Sequence, residues 1–248
     1  MLRVLVTRPR AHPAEGAFAA GLRAAGCEPI FFPVIEIRPL GDAPALENLA
    51  AYDWLVLTSV YAVEMLWKLP ALRQPLPGHL RVASIGPQTA QALRRRGVEP
   101  DFVPGEYVAE AILPGLGDLR GRSVLLPCAE LARRDLPDGI LAAGGVVDVV
   151  PLYQTLLPAR ADPAGLAALK SGVDVITLTS PSTVQNFVLL AREQGLDPLD
   201  LPGGPVFACI GPITRQAAEV ERLPRLLVAA EYTGAGLIRA IQSIYSSL

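Results

Sequence analysis

Apolar residues fall along this chain in short unbroken runs, separated by stretches with helical spacing. Arg3–Thr7, Trp54–Thr58, Arg81–Ile85, Asp101–Val103, Val124–Leu126, Val146–Pro151, Val175–Thr179, Val206–Ile210 and Leu226–Val228 read as strands. They lack the period-two alternation of a half-buried strand, so they predict a parallel sheet covered on both faces. Between them, Ser182–Gln194 places Val184, Phe187, Val188 and Ala191 on one helical face, with Gly195 as the stop. Arg94–Arg96 followed by Gly97 ends another helix, with cations at the negative end of its dipole. The predicted class is α/β, doubly wound, in two similar domains.

The duplication is visible in the sequence itself. Asp53-Trp-Leu-Val-Leu-Thr-Ser59 recurs as Asp174-Val-Ile-Thr-Leu-Thr-Ser180, and Ile85-Gly-Pro-Gln-Thr89 as Ile210-Gly-Pro-Ile-Thr214. Val63, Leu66 and Trp67 correspond to Val184, Phe187 and Val188 in the helix that follows. Val4-Leu-Val6 is echoed by Val124-Leu-Leu126, and Ala24-Ala-Gly26 through Pro33 by Ala142-Ala-Gly144 through Pro151. Two apolar extended stretches, Val34–Leu40 and Leu152–Pro158, are also equivalent. If these cross as paired linker strands (36–40 and 151–156), domain one is 1–35 plus 157–248 and domain two is 41–150. The pattern alone is equally compatible with a sequential split near residue 121.

In open α/β sheets ligands bind beyond the carboxyl ends of the strands, where helices begin. Thr58-Ser59 and Thr179-Ser180-Pro181-Ser182 put hydroxyls at N-cap positions there, and Gly86-Pro87 and Gly211-Pro212, with Ile213 and Thr214, start two more helices. A helix N-terminus offers unpaired N–H groups and partial positive charge, which suits carboxylate or phosphate. Any one such residue is more often a cap than a ligand. Four matched instances on two domains able to face each other predict an anion-lined cleft. Thr7-Arg8-Pro9 adds a cation at the end of the first strand, and Tyr153 offers a phenol from the second crossover stretch. Tyr107 and Tyr232 open equivalent helices as hydrophobic caps, and His12 and His79 are isolated in loops.

Composition narrows the chemistry. Of 248 residues 51% are apolar and 19% charged, which excludes disorder. The mean hydropathy of +0.36 raises the question of a membrane span. The longest uncharged run, Val175–Ala191, contains Ser, Thr, Asn, Gln and Pro181 and does not suit a bilayer. A net charge of −2 argues against nucleic acid and anionic membranes as partners. The N-terminus shows no signal peptide, and Cys27, Cys128 and Cys209 are scattered, as expected of buried thiols in a reducing cytoplasm. Lys occurs only at positions 68 and 170, so nearly all cations are Arg. There is no GxGxxG, no P-loop, no GxSxG and no metal-ligand spacing, so no cofactor or metal is signalled. An enzyme built this way works by positioning and electrostatics.

Taken in order, these motifs resemble the uroporphyrinogen-III synthase family: Val6-Thr-Arg-Pro9, Thr58-Ser59 with Ala62-Val63, Ile85-Gly-Pro-x-Thr-Ala90, Pro151-Leu-Tyr153, Thr179-Ser-Pro-Ser182, Ile210-Gly-Pro-x-Thr214 and Tyr232-Thr233 with Gly236-Leu237. Tyr61 stands where the family often has Asn, and Ile213 where some members have a second Thr. The resemblance implies two flavodoxin-like domains on a two-stranded linker, hence the discontinuous split, and a cytoplasmic monomer. It implies cyclisation of hydroxymethylbilane, with inversion of the last ring, to uroporphyrinogen III and water without a cofactor. Tyr153 is then the residue that aids loss of the hydroxyl. Thr7, Arg8, Ser59, Gly86, Thr179, Ser180, Ser182, Gly211, Ile213 and Thr214 are the substrate-binding set. Two other readings fit the residues: a non-catalytic two-lobed module that senses a small anion, and a flavin-binding protein.

Overall fold

The computed structural model describes residues 1–9, 15–41, 44–105 and 109–245; His12 and Tyr107 lie outside the described residues. The strands are β1 (Leu2–Val6), β2 (Cys27–Phe31), β3 (Glu36–Pro39), β4 (Trp54–Leu57), β5 (Arg81–Ser84), β6 (Ser123–Ala129), β7 (Val146–Leu156), β8 (Val175–Leu178), β9 (Val206–Cys209) and β10 (Leu226–Val228). The helices are α1 (Glu15–Ala24), α2 (Val60–Leu66), α3 (Pro87–Arg95), α4 (Leu113–Leu116), α5 (Asp135–Ala142), α6 (Pro163–Ser171), α7 (Pro181–Glu193), α8 (Pro212–Val220) and α9 (Gly234–Tyr245).

The chain divides into two compact units, Met1–Glu36 with Leu156–Leu248, and Ile37–Thr155. The first holds a parallel sheet in the order β10-β9-β8-β1-β2. The second holds β3-β7-β6-β4-β5, in which β7, β6, β4 and β5 run parallel. The two sequence copies have therefore exchanged halves: β1 and β2 of the first copy pair with β8–β10 of the second, whereas β6 and β7 of the second pair with β4 and β5 of the first.

Both faces of each sheet are covered, as the unbroken apolar runs predict. Leu5, Ile176, Leu178 and Phe207 pack with Leu169 of α6 and Val184, Phe187 and Val188 of α7. Val4, Val6, Val175 and Ala208 face the other way, toward Phe18 and Leu22 of α1 and Leu237 and Ile241 of α9. In the second unit Leu55, Leu57 and Val82 meet Val63, Leu66 and Leu93, while Trp54, Val56 and Leu126 meet Leu116, Leu136 and Ile140. The α6 helix lies so close to β2 that a Cβ on Gly165 would stand 2.3 Å from the Phe31 carbonyl oxygen.

Matching aspartates close the matching joints. Asp53 accepts the Ser123 N–H at 2.9 Å and Asp174 accepts the Arg3 N–H at 2.6 Å, each at the start of the exchanged strand. The Ser123 N–H, helped by the Arg122 guanidinium, holds the Asp53 carboxyl below the usual carboxylate range.

Two expectations change. Cys27–Phe31 forms β2 although Glu28 and Pro29 interrupt its apolar pattern; as the edge strand it tolerates a residue with no N–H to donate. Asp101–Val103 is not a strand but a single bridge, Phe102 to Ala83, because Pro100 and Pro104 bracket it. Cys27, Cys128 and Cys209 are buried free thiols. Among the described residues no helix is long and apolar enough to cross a membrane.

Tyr52 donates to Asp148 at 2.6 Å, and burial with that bond pushes its phenol up to about 12. Folding thus holds this proton more tightly than the unfolded chain does, where the phenol titrates near about 10. The contribution is whole below that pH and is lost as pH rises toward about 12. Denaturant midpoints should fall over this window more steeply for the parent protein than for Tyr52→Phe.

Candidate functional site

In each sheet the parallel strands end on the same edge, and the sequence motifs collect there. In the first unit the ends of β9, β8 and β1 are neighbours, which brings Gly211-Pro212-Ile213-Thr214, Thr179-Ser180-Pro181-Ser182 and Thr7-Arg8 side by side. In the second unit the ends of β4 and β5 bring Ser59 beside Gly86. Tyr153 reaches the same edge from β7, next to Ala129 of β6.

The α7 start is the most elaborate. Ser180 is its N-cap: Ser180 Oγ accepts the Thr183 N–H at 3.2 Å, and Thr183 Oγ1 accepts the Ser180 and Thr179 N–H groups at 3.0 Å each. Ser182 Oγ lies 2.9 Å from Ser180 Oγ. Thr183 is absent from the sequence-derived set; its signal was the Ser-x-x-Thr spacing of a reciprocal cap.

Gly86 and Gly211 are the N-caps of α3 and α8, with extended backbones (φ −155° and −171°) and Pro at the first helical position. Proline has no N–H, so the next two amides carry the exposed end of the helix. Those of Gln88 and Thr89, and of Ile213 and Thr214, meet no acceptor among the described residues. Ile213 is 57% exposed and Thr214 is buried.

Three expected roles are revised. Tyr232 does not open a helix: α9 begins at Gly234, where Thr233 Oγ1 accepts the Gly236 N–H at 3.0 Å. Its ring instead covers Gly211, on which a Cβ would stand 3.3 Å from Tyr232 Cδ1. Thr7 is fully buried and donates to the Thr177 carbonyl at 2.6 Å, so its hydroxyl ties β1 to β8 within the sheet. Arg8 is also buried, with its guanidinium carbon 4.9 Å from the Phe18 ring centroid, a cation held against an aromatic face instead of an exposed one.

Ser59 caps α2, its Oγ accepting the Ala62 N–H at 3.0 Å, and lies 2.8 Å from Tyr153 Oη. Tyr153 is 5% exposed, with the Tyr61 ring 5.9 Å away. Burial pushes its phenol above the ordinary range, against which the Ser59 hydrogen bond works. The phenol therefore stays protonated at neutral pH, with a proton to offer to a hydrogen bond. His79 sits in a loop with Nε2 3.2 Å from the Ala50 carbonyl. Among the described residues no group of three or more His, Cys, Asp or Glu is placed to hold a metal ion.

A family model described as uroporphyrinogen-III synthase HemD matches residues 16–239. The chain belongs to the uroporphyrinogen-III synthase family. It is 34% identical over 244 residues to the uroporphyrinogen-III synthase of Synechococcus elongatus, covering 94% of this chain and 92% of that protein. It is 33% identical over 228 residues to a putative uroporphyrinogen-III synthase of Methanothermobacter thermautotrophicus, covering 86% and 87%. Among solved structures, a mutant uroporphyrinogen III synthase of the extremely thermophilic bacterium Thermus thermophilus aligns over the whole of both chains with a TM-score of 0.64 at 21% identity. The Helicobacter pylori uroporphyrinogen-III synthetase aligns over 98% of this chain and 100% of that one, with a TM-score of 0.65 at 17% identity. These two show the α/β fold, and the family is the one the motifs resemble.

Proposed function

We propose that this chain cyclises hydroxymethylbilane to uroporphyrinogen III, inverting the last ring. In this reading the pyrrole nitrogen expels the hydroxyl of the hydroxymethyl group, giving an azafulvene and, with one proton, water. The substituted carbon of the last ring attacks the azafulvene carbon to form a spiro intermediate. That intermediate fragments at the neighbouring bridge and recloses at the free carbon, and the ring proton lost on rearomatisation balances the proton taken up. The electrons come from the pyrroles themselves, so the reaction requires no redox partner, and the enzyme is a cofactor-independent cyclising lyase.

The observation that carries this reading is the set of Pro-started helices at the strand ends, α3, α7 and α8, with a buried phenol on the same edge in the second unit. Each pyrrole of the substrate bears an acetate and a propionate. A protein of charge −2 meets such a polyanion through backbone N–H groups and helix dipoles instead of a basic patch. Gly86, Gly211, Thr214, Thr179, Ser180 and Ser182 are the proposed carboxylate ligands, Ile213 offers an apolar contact to a pyrrole face, and Arg8 adds positive potential from beneath. Thr7 supports this edge from within the sheet. Tyr153 donates a hydrogen bond to the departing oxygen.

The strand order supports a flavodoxin-like description of both units. The first reads 2-1-3-4-5 along its own strands, and the second reads 2-1-3-4 when β6 and β7 are counted first. The stretches 36–40 and 151–156 are the proposed linker strands between domains 1–35 plus 157–248 and 41–150, in a cytoplasmic monomer. Supplying hydroxymethylbilane and separating the product isomers tests the assignment. Isomer III is expected, and isomer I alone at the spontaneous rate would overturn it.

A further inference from the structure

The two copies start equivalent helices with the same dipeptide, Thr58-Ser59 and Thr179-Ser180, yet use the capping serine differently. Ser180 turns inward to its own helix, bonded to the Thr183 N–H and lying 2.9 Å from Ser182 Oγ. Ser59 also caps its helix, but its second neighbour is a phenol from a strand 94 residues away, Tyr153 Oη at 2.8 Å. The position equivalent to Tyr153, counted from Pro33 and Pro151, holds Ile35. Only one copy couples its cap to an acid.

The pair carries one more proton than its own hydrogen bond uses. Ser59 and Tyr153 bring one hydroxyl proton each, and one hydrogen bond between them uses one. Neither hydroxyl has a further acceptor among the described residues, so the second proton meets no partner among them. Ser59 Oγ already accepts the Ala62 N–H, which makes it a poorer acceptor and a better donor by polarisation along the chain of bonds. The Tyr61 ring lies against that of Tyr153, with centroids 5.9 Å apart at 54°.

We propose that Ser59 is a positioning residue for the reaction rather than a carboxylate ligand: it donates its hydroxyl proton to Tyr153 Oη and so leaves the phenol's own proton to meet the oxygen departing from the substrate. This rests on the function proposed above. The upward push of burial on Tyr153, which keeps the phenol protonated, agrees with it.

Four variants of the full chain test it, with kcat and KM read from isomer III formation. Ser59→Ala is expected to lower kcat on the order of 10-fold, the worth of one hydrogen bond to a polarised group, with KM within about twofold. Ser59→Thr, which keeps both cap and hydroxyl, should restore the rate to within about threefold. In a Tyr153→Phe background, Ser59→Ala should add less than about twofold, because the two residues act as a unit. A raised KM at unchanged kcat in Ser59→Ala, or the same factor with and without the phenol, would overturn the proposal. An alkaline absorbance titration judges the pair without turnover, so it separates this proposal from the synthase assignment. The transition that Tyr153→Phe abolishes should move to higher pH in Ser59→Ala; an unmoved transition means that Ser59 does not donate.

Discussion

Replacing Tyr153 by Phe is expected to lower kcat for isomer III formation by about 10- to 100-fold, the loss of a hydrogen bond to a group that gains charge as the C–O bond breaks. The fold should survive. The Tyr153 ring is packed in the second unit's core with Leu55, Leu57 and Val63, and Phe fills the same space without the hydroxyl. Ser59 would keep its bond from the Ala62 N–H, so α2 keeps its cap. The cost should fall on kcat more than KM, because the bond strengthens only as the leaving oxygen becomes negative. Circular dichroism and the denaturant midpoint should match those of the parent. An unchanged rate would remove Tyr153 from the mechanism.

Replacing Phe187 by Ala is expected to destabilise the first unit by about 3–5 kcal/mol, a large part of the stability of an ordinary domain. Phe187 is fully buried on α7 and meets the edge of Phe32 at 6.3 Å and of Phe207 at 5.8 Å between ring centroids. Truncation removes both edge-to-face contacts and leaves a cavity bounded by strand and helix that cannot collapse freely. Hydrogen exchange should show lost protection in β8, α7 and β9 while Ile37–Thr155 keeps its own. A loss under about 1 kcal/mol would mean that the cavity refills and the core is not the rigid one described.

Several side chains take their roles from partners distant in the chain. Ser180 was recognisable because every part of its cap lies within four residues, whereas the Ser59–Tyr153 pair joins residues 94 positions apart. Thr7 and Arg8 read as strand-end ligands because polar residues after an apolar run normally face solvent. Burial came from elsewhere: Thr177 supplies the carbonyl for one and Phe18 the ring for the other. Tyr232 lies two residues before α9, but its ring is used on Gly211 at the start of a different helix. For β2, the charge and proline that hid the strand are tolerated because, among the described residues, no strand pairs on its outer side.

By itself the sequence determined the α/β class, the duplication, the Pro- and Ser-started helices and the family, because periodicity, caps and repeats are written in neighbouring residues and need no distant partner. The residue pattern left open which copies of the repeat share a sheet; the resemblance implied the discontinuous split, and the strand pairing of the tertiary structure carries it. Val4 pairs with Val175 and Trp54 with Val124, and both copies carry nearly the same strand sequences, so local preference cannot choose between these pairings and the sequential ones. The choice is made by long-range contacts: the aspartates that close the exchanged joints, and the packing of α6 and α7 against β2 and β9. The same contacts bring Ser59 to Tyr153, a pairing that neither residue's neighbours could specify.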